Sequence, residues 1–444
     1  MFKIQNSVNI RLLVLAFMVI CFLIPLGFVR SLISDRHFSS SEAIAEIGSK
    51  WGGSQVLAGP FIVIPYTVKY PQSSETDSKK VEWQYETHHA YFLPEELKVE
   101  TSMLSEIRKR SIYQAVLYSS DLSLSGKFKL PSGRDFPSNT SYIYWNEMKL
   151  ITSISDTKGL GKDTKLIWDG IEKSWEPGTE STYFPNGIHS NLNMIDKNKS
   201  LVHFKIQMSL KGSESISIVP SGKNNSVQIS SNWGDPSFEG NLLPKDRTIT
   251  ESGFSAVWES SYFGRNYPQI IRSMDSNYVN QILGSGYGVK LIIPADHYQK
   301  IERSVKYAIL ILLTSFTLFF LLEIFGGVTL HPIQYLLIGA SMVVFYILNL
   351  SLSEHFGFLI SYTIASFAVS LLIGYYAMAV LKNSKKGVLA GGYFIGLYSF
   401  LYIILTSEDQ ALLLGSVAVF MLLTLVMHFT RKIDWYSFGN AIKN

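Results

Sequence analysis

Apolar and polar positions divide this chain into two kinds of material. After Arg11, Leu12 to Val29 form 18 residues without a charge, and at about 1.5 Å rise per residue such a helix nearly crosses a hydrocarbon core of roughly 30 Å. Five further apolar stretches crowd the C-terminal part: Tyr307 to Phe325, Gln334 to Leu352, Phe358 to Leu381, Val388 to Leu405 and Ala411 to Phe429. Each is long enough to span a bilayer. Between the first stretch and the second the period changes. In Val202, Phe204, Ile206, Met208 and Leu210 the apolar side chains alternate with His203, Lys205, Gln207 and Ser209, the pattern of a strand with one buried face. Leu122, Leu124, Phe128 and Leu130 repeat it. Turn-forming clusters at Pro71 to Lys80, Pro131 to Ser141 and Pro220 to Asn225 separate such runs.

The pattern predicts an α-helical membrane protein of about six transmembrane helices, with a large β-rich, largely antiparallel periplasmic domain between helices 1 and 2. The expected divisions are residues 1–30 for the N-terminus and first helix, 31–306 for the β-rich domain, 307–430 for five helices and 431–444 for a tail. The first span reads as an uncleaved anchor, because Phe28-Val29-Arg30-Ser31-Leu32 offers no small-x-small cleavage site. Pro25 is expected to kink it rather than end it. Ile44 and Ile47 predict a short amphipathic helix over Ser39 to Lys50 as a separate link between anchor and sheet.

Charges fix the expected orientation through the excess of Lys and Arg in cytoplasmic loops. Lys382, Lys385, Lys386, Arg431 and Lys432 fall on one side with Lys3 and Arg11, while Glu354, Glu408 and Asp409 fall on the other. Six crossings satisfy all of these, with both termini cytoplasmic and the large domain outside, in a periplasm or its equivalent. Trp435, Tyr436 and Phe438 beside Arg431 and Lys432 read as an interfacial anchor.

Averaged composition conceals this division, because 17% charged and 47% hydrophobic residues are ordinary soluble values. A net charge of +4, without a Lys/Arg run interleaved with aromatics, excludes a nucleic-acid partner. The single cysteine, Cys21, lies in the first apolar stretch, so the polar domain folds without a disulfide. No H-E-x-x-H, G-x-S-x-G, Walker loop or paired C-x-x-C occurs. His88 and His89 are neighbours on a strand and point to opposite faces, so they do not form one metal site. Gly284, Gly286 and Gly288 lead into a strand-like segment rather than a helix and read as a turn, not a dinucleotide loop. Neither a catalytic residue, a cofactor nor a metal is expected.

Ionisable residues within or beside spans remain the functional candidates. Glu323 sits near the cytoplasmic end of the second span, where snorkelling to the headgroups would lower its cost. His331-Pro332 opens the third span, with Pro in the first helical turn. Glu354-His355 and Glu408-Asp409 are placed in two short loops on the external face, where together they would gather a proton, a cation or a basic surface. The plainer reading makes Ser407-Glu408-Asp409 a cap and first turn whose carboxylates complement the helix dipole.

Long strings resemble the CreD family of cell-envelope integrity proteins, inner-membrane proteins of Gram-negative bacteria. They include Asn232-Trp233-Gly234-Asp235-Pro236-Ser237-Phe238, Glu251-Ser252-Gly253-Phe254, Trp258-Glu259-Ser260-Ser261 and Pro294-Ala295-Asp296-His297-Tyr298-Gln299. In the apolar part they are His331-Pro332-Ile333-Gln334-Tyr335-Leu336-Leu337, Leu352-Ser353-Glu354-His355, Ala411-Leu412-Leu413-Leu414-Gly415 and Ile433-Asp434-Trp435-Tyr436-Ser437-Phe438. The resemblance implies an inner-membrane location, a role in envelope integrity and, in some relatives, a response to β-lactam or cell-wall stress. It supplies no catalytic residues.

The leading expectation is therefore a non-enzymatic protein whose partners are the lipid bilayer and an unknown envelope protein or cell-wall component, bound through Asn232 to Phe238 and Tyr262 to Tyr267. Trp233 and Phe238 equally fit a core. The alternative is a small transporter or channel with Glu323, His331, Glu354, His355 and Asp409 along a polar path. A membrane hydrolase would need His331 and a carboxylate together, and the predicted topology separates them by about a membrane thickness.

Overall fold

The computed structural model describes residues 8–73, 81–192, 199–293, 297–326, 328–407 and 410–431. It divides into two compact units, Met1–Ser41 with Ala295–Asn444, and Glu42–Pro294. The sequence bounds of 30 and 306 are thus each moved by about a dozen residues, for reasons visible in the helices. Helix α1 (Val8–Trp51) is one continuous helix of 44 residues, so the separate link expected over Ser39 to Lys50 is its C-terminal part. Pro25 lies inside it without ending it. A second helix, α2 (Ser276–Gly284), belongs to the β-rich unit, whereas α3 (His297–Lys306) belongs to the helical one.

The helical unit continues with α4 (Ala308–Gly326), α5 (Pro332–Phe356), α6 (Phe358–Val380), α7 (Ser384–Thr406) and α8 (Ala411–Thr430). Among the described residues five helices, α1 and α4 to α7, are long and apolar enough to cross a membrane, and α8 carries a shorter apolar run, Leu412–His428. Phe22, Leu26, Val29 and Ile33 recur at helical spacing and bury one stripe of α1 in the same core as Phe316 and Phe319 of α4, Tyr335 and Met342 of α5 and Phe394 of α7. Small residues set the closest approaches, as lipid gives helices no hydrophobic drive to associate. A Cβ on Gly339 would lie 2.3 Å from the Phe22 ring, and one on Gly374 would lie 3.1 Å from Cα of Gly391. Gly387 and Gly391 on α7, with Ser370 and Gly374 on α6, form a small-xxx-small contact.

The β-rich unit is a sandwich of two sheets. One runs in the order Pro236–Gly240, Tyr287–Leu291, Ser215–Ile218, Gln55–Ser73, Lys149–Ile154, Gly187–Asn191, Glu176–Pro177. Val81–Phe92 and Thr140–Ile143 also pair with Gln55–Ser73, and Ile270–Ile271 pairs with Val81–Phe92. The other runs Asp246–Thr250, Gly253–Ser261, Asn224–Ser231, Glu96–Arg110, Tyr113–Lys129, Leu201–Ser213, Lys165–Trp168, Ile171–Lys173. Pairing is antiparallel except where Gln55–Ser73 meets Ser215–Ile218 and where Asn224–Ser231 meets Glu96–Arg110.

The alternating segments read from sequence are strands, with Val202, Phe204, Ile206, Met208 and Leu210 all buried and Leu122, Leu124 and Phe128 facing them. They share one core with Ile62, Ile64 and Tyr66 of the first sheet. Each such aliphatic side chain contributes about 1.5–3 kcal/mol on full burial. The outer face of the first sheet is covered over part of its length by Phe184, Tyr267 and, from α2, Ile282. Of the glycine run expected to be a turn, Gly286 lies in the connection, while Gly284 ends α2 and Gly288 already belongs to the strand Tyr287–Leu291.

Candidate functional site

At the N-terminal end of α1, three helices of the helical unit meet at one carboxylate. Arg11 Nη1 of α1 lies 2.5 Å from Oε1 of Glu323 on α4, and the Tyr335 hydroxyl of α5 donates to Oε2 at 2.9 Å. Both carboxylate oxygens are thereby claimed. Glu323 is 6% exposed and does not snorkel outward as expected from sequence; its charge is met inside by a cation from another helix. In so apolar a setting an unpaired carboxylate would be strongly disfavoured, and pairing with added hydrogen bonds is what allows it to persist.

The same corner holds a cavity of about 400 Å³, lined by Arg11, Glu323, Thr329, His331 and Tyr335 together with the apolar Val14, Leu15, Phe320 and Leu330. His331 is the N-cap of α5. Its Nδ1 accepts from the Ile333 N–H at 3.3 Å, its own N–H donates to Gln334 Oε1 at 2.8 Å, and Pro332 takes the first helical position. These bonds occupy the start of α5 with its own side chains.

A second cluster lies at the other end of α5. Glu354 is 11% exposed, accepts from the Tyr298 hydroxyl of α3 at 3.2 Å, and faces Arg36 Nε of α1 at 3.8 Å. Arg30 of α1 and Glu302 of α3 form a looser pair at 3.5 Å nearby in the sequence of both helices. Glu354 and His355 were expected in a loop; both lie in the last turn of α5, which Gly357 ends with φ of 76°. His355 is exposed with its ring beside Phe356. Glu408 and Asp409 lie outside the described residues, as do Lys432, Trp435, Tyr436 and Phe438.

His331 and Glu354 stand 23 positions apart on one helix, about 34 Å at 1.5 Å per residue. The structure therefore does not bring them together. Between the two clusters α5 turns Ile338, Met342, Val343 and Phe345 inward, all buried. Arg11, Tyr335, Arg36 and Tyr298 were missed as site residues. The available signal was charge of opposite sign at matching ends of successive apolar runs, Arg11 before the first and Glu323 near the end of the second.

In the β-rich unit the surface expected over Asn232 to Phe238 is largely structural. Trp233 Nε1 donates to the Ile292 carbonyl at 2.9 Å, and the Asn232 amide exchanges hydrogen bonds with the Ser105 backbone at 2.7 and 3.1 Å. Phe238 packs edge-on against Phe254 and Trp258. Tyr267 is buried and bonded to Ser285 at 3.0 Å, so of Tyr262 to Tyr267 Phe263 stands out as strongly exposed, at 82%. Among the described residues no group of three or more His, Cys, Asp or Glu is placed to hold a metal ion.

The profile of the family described as Inner membrane protein CreD matches residues 7–436. The Inner membrane protein CreD of Escherichia coli (strain K12) is 36% identical over 422 residues, covering 95% of this chain and 92% of its own. Among solved structures, an M1 zinc metallopeptidase from Deinococcus radiodurans aligns with 78% of this chain and 93% of its own at 8% identity, and its TM-score of 0.20 carries no argument. A match running nearly end to end, on a chain that joins several apolar helices to a β-rich unit, makes this protein a member of the CreD family of inner membrane proteins.

Proposed function

We propose that this chain is a non-enzymatic protein that supports envelope integrity under cell-wall or β-lactam stress, anchored by six crossings with both termini in the cytoplasm. Its β-rich unit then stands in the periplasm and binds an envelope component. The observation that carries this reading is the arrangement along α5. Its two charged clusters are each met by a partner of opposite sign, and buried apolar side chains from Ile338 to Phe345 separate them. Such helices favour an anchor over a conduit, since a transport path needs polar groups or water along its length. The rival transporter reading draws on buried polar side chains in the same core, Tyr346 and Asn349 on α5, Ser370 on α6 and Tyr398 on α7, but they are set among the apolar residues that separate the two charged clusters.

The reading is tested by complementing a deletion strain under detergent and cell-wall stress with the full chain and with a chain whose residues 55–291 are replaced by a short linker. The full chain is expected to restore growth and the shortened one to fail at equal membrane level. Full rescue by the shortened chain refutes the role given to the β-rich unit. A reporter fused after Lys443 should be active only as a cytoplasmic fusion.

A further inference from the structure

Most buried polar side chains in the core of the helical unit find a partner within the protein. The Tyr335 hydroxyl donates to Glu323, and that of Tyr362 on α6 donates to the Tyr398 carbonyl of α7 at 2.7 Å. Ser353 and Ser361 donate to carbonyls one turn back on the chain, at 2.8 and 2.7 Å. Three side chains of the same core are different. Among the described residues the hydroxyls of Tyr346 on α5 and Tyr398 on α7, each residue 1% exposed, reach no partner, and neither does the oxygen or the nitrogen of the Asn349 amide, at 0%.

These three belong together. Asn349 follows Tyr346 by three positions and Phe345 by four, so they share one face of α5. The Phe345 ring lies 5.0 Å from that of Tyr346 and 4.3 Å from that of Tyr398, and Tyr346 is within electrostatic reach of Tyr398. Depth agrees as well. Short turns at Gly357 and at residues 381–383 join α5 to α7 through α6, so α5 and α7 run the same way. Asn349 and Tyr398 then lie about 10 and 12 Å before the ends of their helices, at 1.5 Å per residue.

A polar group left unpaired in an apolar core is costly, and buried polar groups in native proteins bond either to protein or to ordered water. The chemistry of the set fixes what it holds. It offers an amide NH₂ and two hydroxyls as donors, with the amide oxygen and two phenolic oxygens as acceptors. It contains no charged side chain, whereas a buried cation needs several oxygen ligands and a compensating charge. Burial this complete excludes a solute larger than water. Water, donor and acceptor at once, meets every requirement.

We propose that Tyr346, Asn349 and Tyr398 enclose an internal water site that joins α5 to α7 in the half of the bundle nearer Glu354. Bridging water there acts as the interhelical polar glue that a lipid-embedded bundle relies on. The site is independent of the role given to the β-rich unit.

The test is radiolytic labelling of the full-length protein in nanodiscs, in which hydroxyl radicals formed from bound water oxidise adjacent side chains. Mass spectrometry reads the rate at each residue, corrected for the intrinsic reactivity of its side chain. Two equally buried residues serve as references: Tyr118 of the β-rich unit, whose hydroxyl donates to the Ser215 carbonyl at 2.8 Å, and the apolar Phe319 of α4. Tyr346 and Tyr398 are expected to be oxidised faster than either reference by about fivefold or more, since bound water is the source of the radical. Asn349→Leu should slow oxidation at both tyrosines and leave Tyr118 unchanged. Tyrosine rates equal to that of Tyr118 would overturn the proposal and show the three side chains bonded to one another. Oxidation of Phe319 as fast as that of the tyrosines would overturn it too, because water would then enter the core at large. Unchanged tyrosine rates in Asn349→Leu would do the same. The wild-type comparison decides the proposal without any variant.

Discussion

Arg11 and Glu323 are separated by 312 positions in the chain and by 2.5 Å in space. The pair fastens the N-terminal end of α1 to α4, and Tyr335 extends the fastening to α5. Breaking one side of such a pair leaves a charge buried without its partner, typically at about 3–5 kcal/mol. Arg11→Ala is therefore expected to lower the thermal midpoint of the detergent-solubilised protein more than Glu323→Gln does. The double change Arg11→Leu with Glu323→Leu should be milder than Arg11→Ala alone. A double variant worse than the sum of the singles would contradict a pair whose main role is mutual neutralisation.

The ring of Phe22 occupies the space that a side chain on Gly339 would need. Gly339→Leu is expected to push α1 off α5 and lower stability, by the 1–3 kcal/mol typical of overpacking. Adding Phe22→Ala should recover part of the loss. Cysteine crosslinking between α1 and α5 reads the contact directly, and crosslinking that is unchanged in Gly339→Leu would contradict the displacement of α1 by a side chain at this position.

In the sandwich, Trp258 is fully buried, stacks on Tyr287 at 5.9 Å between ring centres and donates through Nε1 to the Leu242 carbonyl at 3.1 Å. Trp258→Ala should cost about 3–5 kcal/mol in the unfolding of this unit. Loss of Phe263, which is exposed, should cost less than about 0.5 kcal/mol. Denaturant unfolding followed by circular dichroism separates the two.

Lys149 donates to the Glu180 carboxylate and holds its pKa below the usual value, the hydrogen bond being the larger cause. A carboxylate with a lowered folded pKa contributes stability above its unfolded value, and this is lost as pH falls toward the folded one. Glu180 is largely solvent-exposed, so the contribution is small. Glu180→Gln is expected to leave the thermal midpoint unchanged at pH 7 within a degree or two and to flatten its decline between about pH 5 and 3. An unaltered acid limb would count against the pair.

Much of this architecture is legible in the chain because period and burial coincide. Val202 to Leu210 alternate strictly, and a strand with one buried face is the arrangement that satisfies them. The apolar runs near the C-terminus are likewise readable, since lipid requires long uncharged helices. The continuation of α1 to Trp51 was not. Arg30, Asp35 and Arg36 end the apolar run, but no proline follows before Trp51, and the helix simply leaves one environment for another. Glu354 and His355 looked like loop residues because they are polar; Gly357, with its left-handed backbone, is the true stop. Glu323 was visible as a candidate, whereas its partners depend on which helices pack together, and a list of spans does not contain that information.

The central claim is that the helices anchor and the β-rich unit acts. It is tested most directly by rescuing the deletion strain with Glu323→Gln, Glu354→Gln and the two combined, at membrane levels matched to wild type. All three are expected to restore resistance to detergent and cell-wall stress. Failure of the combined variant at full membrane level would contradict the account and assign the activity to the carboxylates within the helices.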